Sequence, residues 1–300
     1  MKISEVLNRK KLSVSFEIFP PKKDSSYDSV MNTALDLSSL KPDFMSVTYG
    51  AGGTTCSYTA EIASELQKKG NTPALAHLTC VGSCKSDLDG IVENLKKNGI
   101  ENVLALRGDF PPDEGGSRTI RDECKHASDL VRFLKEKGGF CIGGACYPEG
   151  HPESKNRDED LENLRFKVEE GCAFLTTQMF FDNDMLYSFL YRMQSKGIHV
   201  PVLAGIMPVT NAAQIKKMIS LSNAYMPRKL LTIIDRFADN PEALKQAGIA
   251  YATDQIIDLI TNGVRGIHLY SMNKTDITSA IMANISSIVS AVNGESDGSK

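Results

Sequence analysis

Apolar residues in this chain gather into eight short runs, near residues 13–19, 44–49, 73–80, 102–108, 141–147, 174–181, 200–207 and 266–271. Each run is nearly continuous rather than alternating, the pattern of parallel strands covered on both faces. The stretches between them read as helices, for example YTAEIASELQKKG, SDLDGIVENLKKNG and DLENLRFKVEEG. All three stop at a glycine, the usual left-handed end of a helix. Strand and helix therefore alternate along the chain, which predicts a parallel α/β fold. The interval from about 211 to 262 is longer and is expected to hold two or three helices.

A second pattern lies at the strand ends. Glu17 sits in VSFEIFP, Thr48 and Tyr49 in FMSVTYG, and His77 in LAHLTC. Arg107 and Asp109 close VLALRGD, Tyr147 closes GACYP, Gln178 lies in LTTQMFF, and Tyr270 and Asn273 close IHLYSMN. Only the seventh run, VLAGIMP, has no such group. Ionisable groups are costly to bury, so their recurrence needs a common cause. A (β/α)8 TIM barrel supplies one, because the C-terminal ends of its strands converge on a single active site. A doubly wound sheet would carry Gly-x-Gly-x-x-Gly after its first strand, where this chain reads FPPKKDSS. The glycine-rich TYGAGGTT follows the second strand and suits a tight loop at a helix start, near a phosphate. The 300 residues fit one barrel domain over 1–292, with NGESDGSK at 293–300 expected as a disordered tail.

Composition narrows the class. A 41% hydrophobic content supports a large core, and a formal net charge of −3 offers no basic field for nucleic acid. No apolar run approaches the roughly 20 residues of a membrane span, and MKISEVLNRKKLS lacks the apolar stretch of a signal peptide. Seven cysteines, mostly in or beside apolar strands, suit reduced thiols in a cytoplasm. Cys80 and Cys84 have C-x3-C spacing without a second pair, and Glu149, His151 and Glu153 resemble a metal cluster only weakly. No metal is expected.

Glu17 shares a strand face with Ser13 and Ser15. A carboxyl flanked by Phe16 and Ile18 is poorly solvated, which favours its protonated form and suits general acid work. An ion pair inside the barrel is the structural alternative. Arg107 and Asp109 share a face by the two-residue period, as a rim salt bridge or as a pair that binds an anion and tunes a charged intermediate. His77 reads as a base, a ligand or a core histidine, with no second histidine expected on an adjacent strand end. Gln178 can donate and accept at once, which suits an amide or pyrimidinone edge or a polar barrel layer. No lysine lies inside a strand and no G-x-S-x-G elbow is present, so a Schiff-base aldolase or a serine hydrolase lacks its nucleophile. The residues alone give a barrel enzyme with an acid, an anion-binding pair and an amide reader.

FEIFPP, LKPDFMSVTYGAGG, AHLTC, ALRGD, YPEGHPE, TQMFF and LYSMNK follow one another from about Ser13 to about Ile281. In this order and spacing the chain resembles the methylenetetrahydrofolate reductase family, in its bacterial single-domain form. The resemblance implies FAD as cofactor, NADH or NADPH as donor, and ping-pong reduction of 5,10-methylenetetrahydrofolate to 5-methyltetrahydrofolate. It implies Glu17 as the general acid that opens the five-membered ring, Asp109 near both flavin and folate, and Gln178 as the substrate-reading amide. Flavin contacts carry over to Thr48, Tyr49, Ala51, His77, Arg107, Gly108, Asp109, Ala127, Tyr147, His151, Asp160, Asn163 and Lys167.

Gln214 and Lys274 match positions near the folate, although Lys274 stands where the family often has Arg. Met218 takes the place of an aromatic that can stack on ligand, and 113–126 matches poorly. The family's habit implies a homo-oligomer, and a partner redox protein is an alternative donor. Another flavin barrel, of the proline dehydrogenase kind, would share fold and cofactor but not these motifs. A subunit that only holds flavin would not need Glu17 and Gln178.

Overall fold

The computed structural model describes residues 1–21, 26–49, 56–109, 124–222 and 224–294. Eight parallel strands close into a barrel in chain order. They are β1 (Ser13–Ile18), β2 (Phe44–Val47), β3 (Ala74–Thr79), β4 (Asn102–Leu106), β5 (Cys141–Cys146), β6 (Phe174–Thr177), β7 (Val202–Ile206) and β8 (Gly266–Tyr270). β8 pairs with β1, placing Ser15 opposite His268 and Glu17 opposite Tyr270, so no strand edge is left open. The alternation expected from the sequence is present: α2 (Tyr27–Ser39), α3 (Cys56–Lys69), α4 (Lys85–Lys97), α5 (Ala127–Lys137), α6 (Arg157–Glu170), α7 (Asn183–Ser195) and α11 (Thr275–Gly294). The long interval after β7 holds α8 (Ala212–Ser222), α9 (Arg228–Phe237) and α10 (Pro241–Thr261).

The strands are mostly apolar because they bury two faces. Val14, Phe16 and Ile18 of β1 join Met45, Val47, Ile267 and Leu269 in the core shared with the helices. The opposite faces fill the lower barrel with Phe44, Leu75, Leu104, Phe174 and Leu203, and Ile3 and Leu7 of α1 (Ile3–Arg9) close that end. Asn102 anchors the plug. Its Oδ1 accepts from Ile3 N at 2.8 Å, and its Nδ2 donates to Met1 O and Ala74 O at 3.1 Å each.

Several expectations shift at the boundaries. Most strands end earlier than their apolar runs, so Thr48, Tyr49, Arg107, Asp109, Tyr147 and Gln178 stand in the loops just beyond β2, β4, β5 and β6. Arg107 and Asp109 do not share a strand face. Gly108 between them takes φ +88°, a left-handed turn that breaks the two-residue period. No side chain fits there, since a Cβ would lie 2.7 Å from Val81 Cγ1.

The helix α11 runs through Gly294, into the segment assigned to the tail. Asn293 is held there because its amide exchanges two 3.0 Å hydrogen bonds with the backbone of Leu12. Residues 295–300 lie outside the described residues. The same helix is, by length and composition, long and apolar enough to span a membrane, contrary to expectation. It packs as the last helix of the barrel, with Ile277, Thr278, Ile281 and Ile285 buried.

Candidate active site

Glu17 is a buried carboxyl at the C-terminal mouth, 7% exposed and next to last in β1. Two buried histidines face it. His77 Nε2 of β3 stands 3.6 Å from Glu17 Oε2, and His268 Nε2 of β8 stands 3.7 Å away. Neither distance is a hydrogen bond. Burial, opposed by Glu17 and helped by His268, pushes the His77 pKa down to about 4. His77 is therefore neutral at pH 7, and its Nε2 is buried without a hydrogen-bond partner.

His268 was not among the residues singled out from the sequence. Its Nδ1 lies 2.8 Å from Ser15 Oγ, and its Nε2 lies 3.2 Å from Ser46 Oγ. Ser15 Oγ also donates to Ile267 O at 3.2 Å, so its oxygen accepts from Nδ1–H. In the neutral ring this turns Nε2, the acceptor nitrogen, towards Glu17. His268, on β8, is not on a strand adjacent to that of His77, but barrel closure brings its imidazole to the same Glu17 carboxylate.

The β2 to β5 side of the mouth is polar and carries charges of both signs. Thr48 is fixed by its N–H to Ile18 O at 3.0 Å, and its carbonyl accepts from Thr59 Oγ1 at 2.9 Å. Tyr49 follows it, half-buried, and Ala51 lies outside the described residues. Arg107 pairs bidentately with Glu153, through NH1 to Oε2 and NH2 to Oε1, the latter at 2.9 Å. This pair raises the guanidinium pKa further. Asp109 is exposed at the rim.

Tyr147 follows β5, and burial raises its pKa to about 12. Its ring meets that of His151 edge-on at 4.6 Å. His151 Nδ1 accepts from Glu153 N at 3.1 Å, while Glu149 Oε2 accepts from Tyr225 N at 2.6 Å. These acidic and imidazole groups are thus engaged in loop structure. Asn156 starts α6 by accepting from Asp158 N and Glu159 N. That helix carries Asp160, raised in pKa by burial, the exposed Asn163, and Lys167, whose Nζ donates to Ala145 O at 2.5 Å. Ala127 opens α5 on the same side.

The β6 to β8 side gathers the remaining candidates. Gln178 Oε1 accepts from Met179 N at 2.9 Å, so its acceptor is already engaged locally and Nε2 is left to donate. Gln214 and Met218 of α8 line one small depression with Met207, Thr210 and Met272. Lys274 joins them through a 3.1 Å bond from Nζ to Thr210 Oγ1.

The chain has known relatives. The family model for methylenetetrahydrofolate reductase matches residues 2–286, nearly the whole barrel. The chain belongs to the methylenetetrahydrofolate reductase family. The 5,10-methylenetetrahydrofolate reductase of Escherichia coli is 38% identical over 270 residues, covering 90% of this chain and 89% of that protein. Methylenetetrahydrofolate reductase (NADH) 1 of Arabidopsis thaliana is 33% identical over 95% of this chain, which spans 50% of that longer protein. A Clostridium thermocellum protein, described as binding two copies of 5-methyl-5,6,7,8-tetrahydrofolic acid, shares the fold with a TM-score of 0.67 at 18% identity. It covers 96% of this chain and 99% of its own. The activity named for these relatives is the chain's as well: reduction of methylenetetrahydrofolate.

Proposed function

We propose that this barrel works as an FAD enzyme that converts 5,10-methylenetetrahydrofolate to 5-methyltetrahydrofolate, with electrons from NADH or NADPH in a ping-pong cycle. The observation that carries the reading is Glu17, buried between two histidines and opening onto the mouth without a hydrogen bond to either. Folate ring opening needs such an acid. A proton from Glu17 goes to the departing ring nitrogen, the carbon–nitrogen bond breaks, and the remaining carbon becomes a cationic iminium. Asp109 supplies negative charge for that cation, and Gln178 Nε2 donates to an acceptor on the pterin edge.

The chain's residues fit the cofactor. His77 presents a buried Nε2 with no hydrogen-bond partner, Gly108 brings backbone where a Cβ would clash, and Arg107 and Lys167 supply cations for a diphosphate. When bound, FAD supplies the two-electron transfer between nicotinamide and folate. Thr48 and Gln178 flank the mouth, which suits a single pocket used by donor and folate in turn.

Anaerobic stopped-flow mixing tests this. The purified protein should bind FAD, lose its flavin absorbance with NADH or NADPH within the turnover time, and recover it with methylenetetrahydrofolate. Steady-state kinetics should give parallel double-reciprocal lines. No affinity for FAD would end the cofactor assignment. Bleaching by dithionite alone, with recovery by folate, would assign the donor role to a partner redox protein.

A further inference from the structure

Tyr270 ends β8, but its side chain does not stay over its own strand. Its hydroxyl donates to Thr177 O at the end of β6, 2.6 Å away, so the ring crosses β7. The crossing depends on Gly205 of β7, where a Cβ would lie 2.6 Å from the Tyr270 hydroxyl and 2.5 Å from Thr177 O. Gly205 N also donates to Thr177 Oγ1 at 2.9 Å. The peptide linking Thr177 to Gln178 is therefore held from both sides. Its carbonyl accepts from Tyr270, and its N–H donates to Cys146 O at 2.7 Å. At its other end the Tyr270 ring packs edge-on against His268, with centroids 5.5 Å apart, and Tyr270 is the register partner of Glu17.

One side chain thus ties the acid side of the mouth to the strand end that carries Gln178. We propose that Tyr270 is a positioning residue that sets the Gln178 amide relative to Glu17, so that the folate is held where its ring nitrogen meets the acid. This rests on the folate chemistry given under Proposed function. Burial and the nearby Glu17 carboxylate hold the hydroxyl's pKa well above that of an ordinary tyrosine, so it remains a donor at every working pH.

The test compares Tyr270→Phe with the unaltered enzyme in each half-reaction. Loss of one buried hydrogen bond that orients a ligand-reading group should raise KM for methylenetetrahydrofolate about ten-fold. FAD affinity should stay within about two-fold, flavin reduction at saturating nicotinamide should change less than folate-driven reoxidation, and the pH profile of kcat should keep its shape. Gly205→Ala, which crowds the hydroxyl without removing it, should shift KM in the same direction. A Tyr270→Phe enzyme with unchanged KM and only a lower melting temperature would overturn the inference, as would equal loss in both half-reactions. If the unaltered enzyme bound FAD but did not turn over folate, the folate reading itself would fall, and the inference with it.

Discussion

At the N-terminal end of the barrel, buried Asn102 has an acceptor or donor for each of its amide groups. At the C-terminal end, buried Glu17 and His77 face each other at 3.6 Å without a hydrogen bond. The first end is closed: α1 seals it, and the asparagine joins α1 to the sheet. The second leaves His77 Nε2 desolvated and without a hydrogen-bond partner. An unmade buried hydrogen bond costs about 1–3 kcal/mol, so such groups persist where a ligand completes them. The two ends of the same eight strands thus divide stability from chemistry.

The sharpest way to break this comparison is to neutralise the acid. Glu17→Gln keeps the volume of the side chain and removes only its ability to deliver a proton. Folate-driven reoxidation should fall by about 10²–10⁴-fold, while flavin reduction by donor and the melting temperature change little. Equal loss in both half-reactions would make Glu17 part of the scaffold and erase the distinction between the ends.

The reciprocal change is Asn102→Ala. It strands Ile3 N–H and two carbonyls and should cost about 2–4 kcal/mol, seen as a melting temperature lowered by roughly 5–10 °C. Below that transition KM for folate and kcat should be unchanged. A changed KM with an unchanged melting curve would show that the plug communicates with the mouth.

Much of this division can be read from the sequence, and the gaps have physical reasons. Glu17 and His77 were visible because a charged or imidazole group interrupts an otherwise apolar strand. His268 interrupts IHLY in the same way, but the sequence does not show what its ring meets. What fixes its ring is contact with Ser15 and Ser46, 253 and 222 residues away, which only barrel closure creates. The pairing of Arg107 with Asp109 failed because a period-two argument assumes an extended strand, and Gly108 turns left-handed instead. The partner Arg107 takes, Glu153, comes from the loop after β5. Tyr270 was noted as a strand end, but its reach across β7 depends on the missing side chain of Gly205.

The smallest expected effect is on acid stability, and it arises at the mouth alone. His77 has a folded pKa of about 4 against an ordinary value of 6.5, chiefly because burial disfavours its charged form. Between those values the unfolded chain binds more protons than the folded one, so stability must fall as pH falls through this window. The contribution is complete above about pH 6.5 and is lost progressively towards pH 4, by at most about 3 kcal/mol. Glu17 opposes the shift and His268 adds to it, so both remain in place for the measurement. Asn102 does not titrate and adds no slope. Melting curves from pH 7.5 to pH 4.5 on the unaltered chain and on His77→Gln separate the two ends. The variant should lose part of the acid-side slope, whereas Asn102→Ala should keep that slope at a uniformly lower melting temperature. Identical slopes in all three proteins would place the acid-labile group elsewhere and remove His77 from the account of why the mouth is the less stable end.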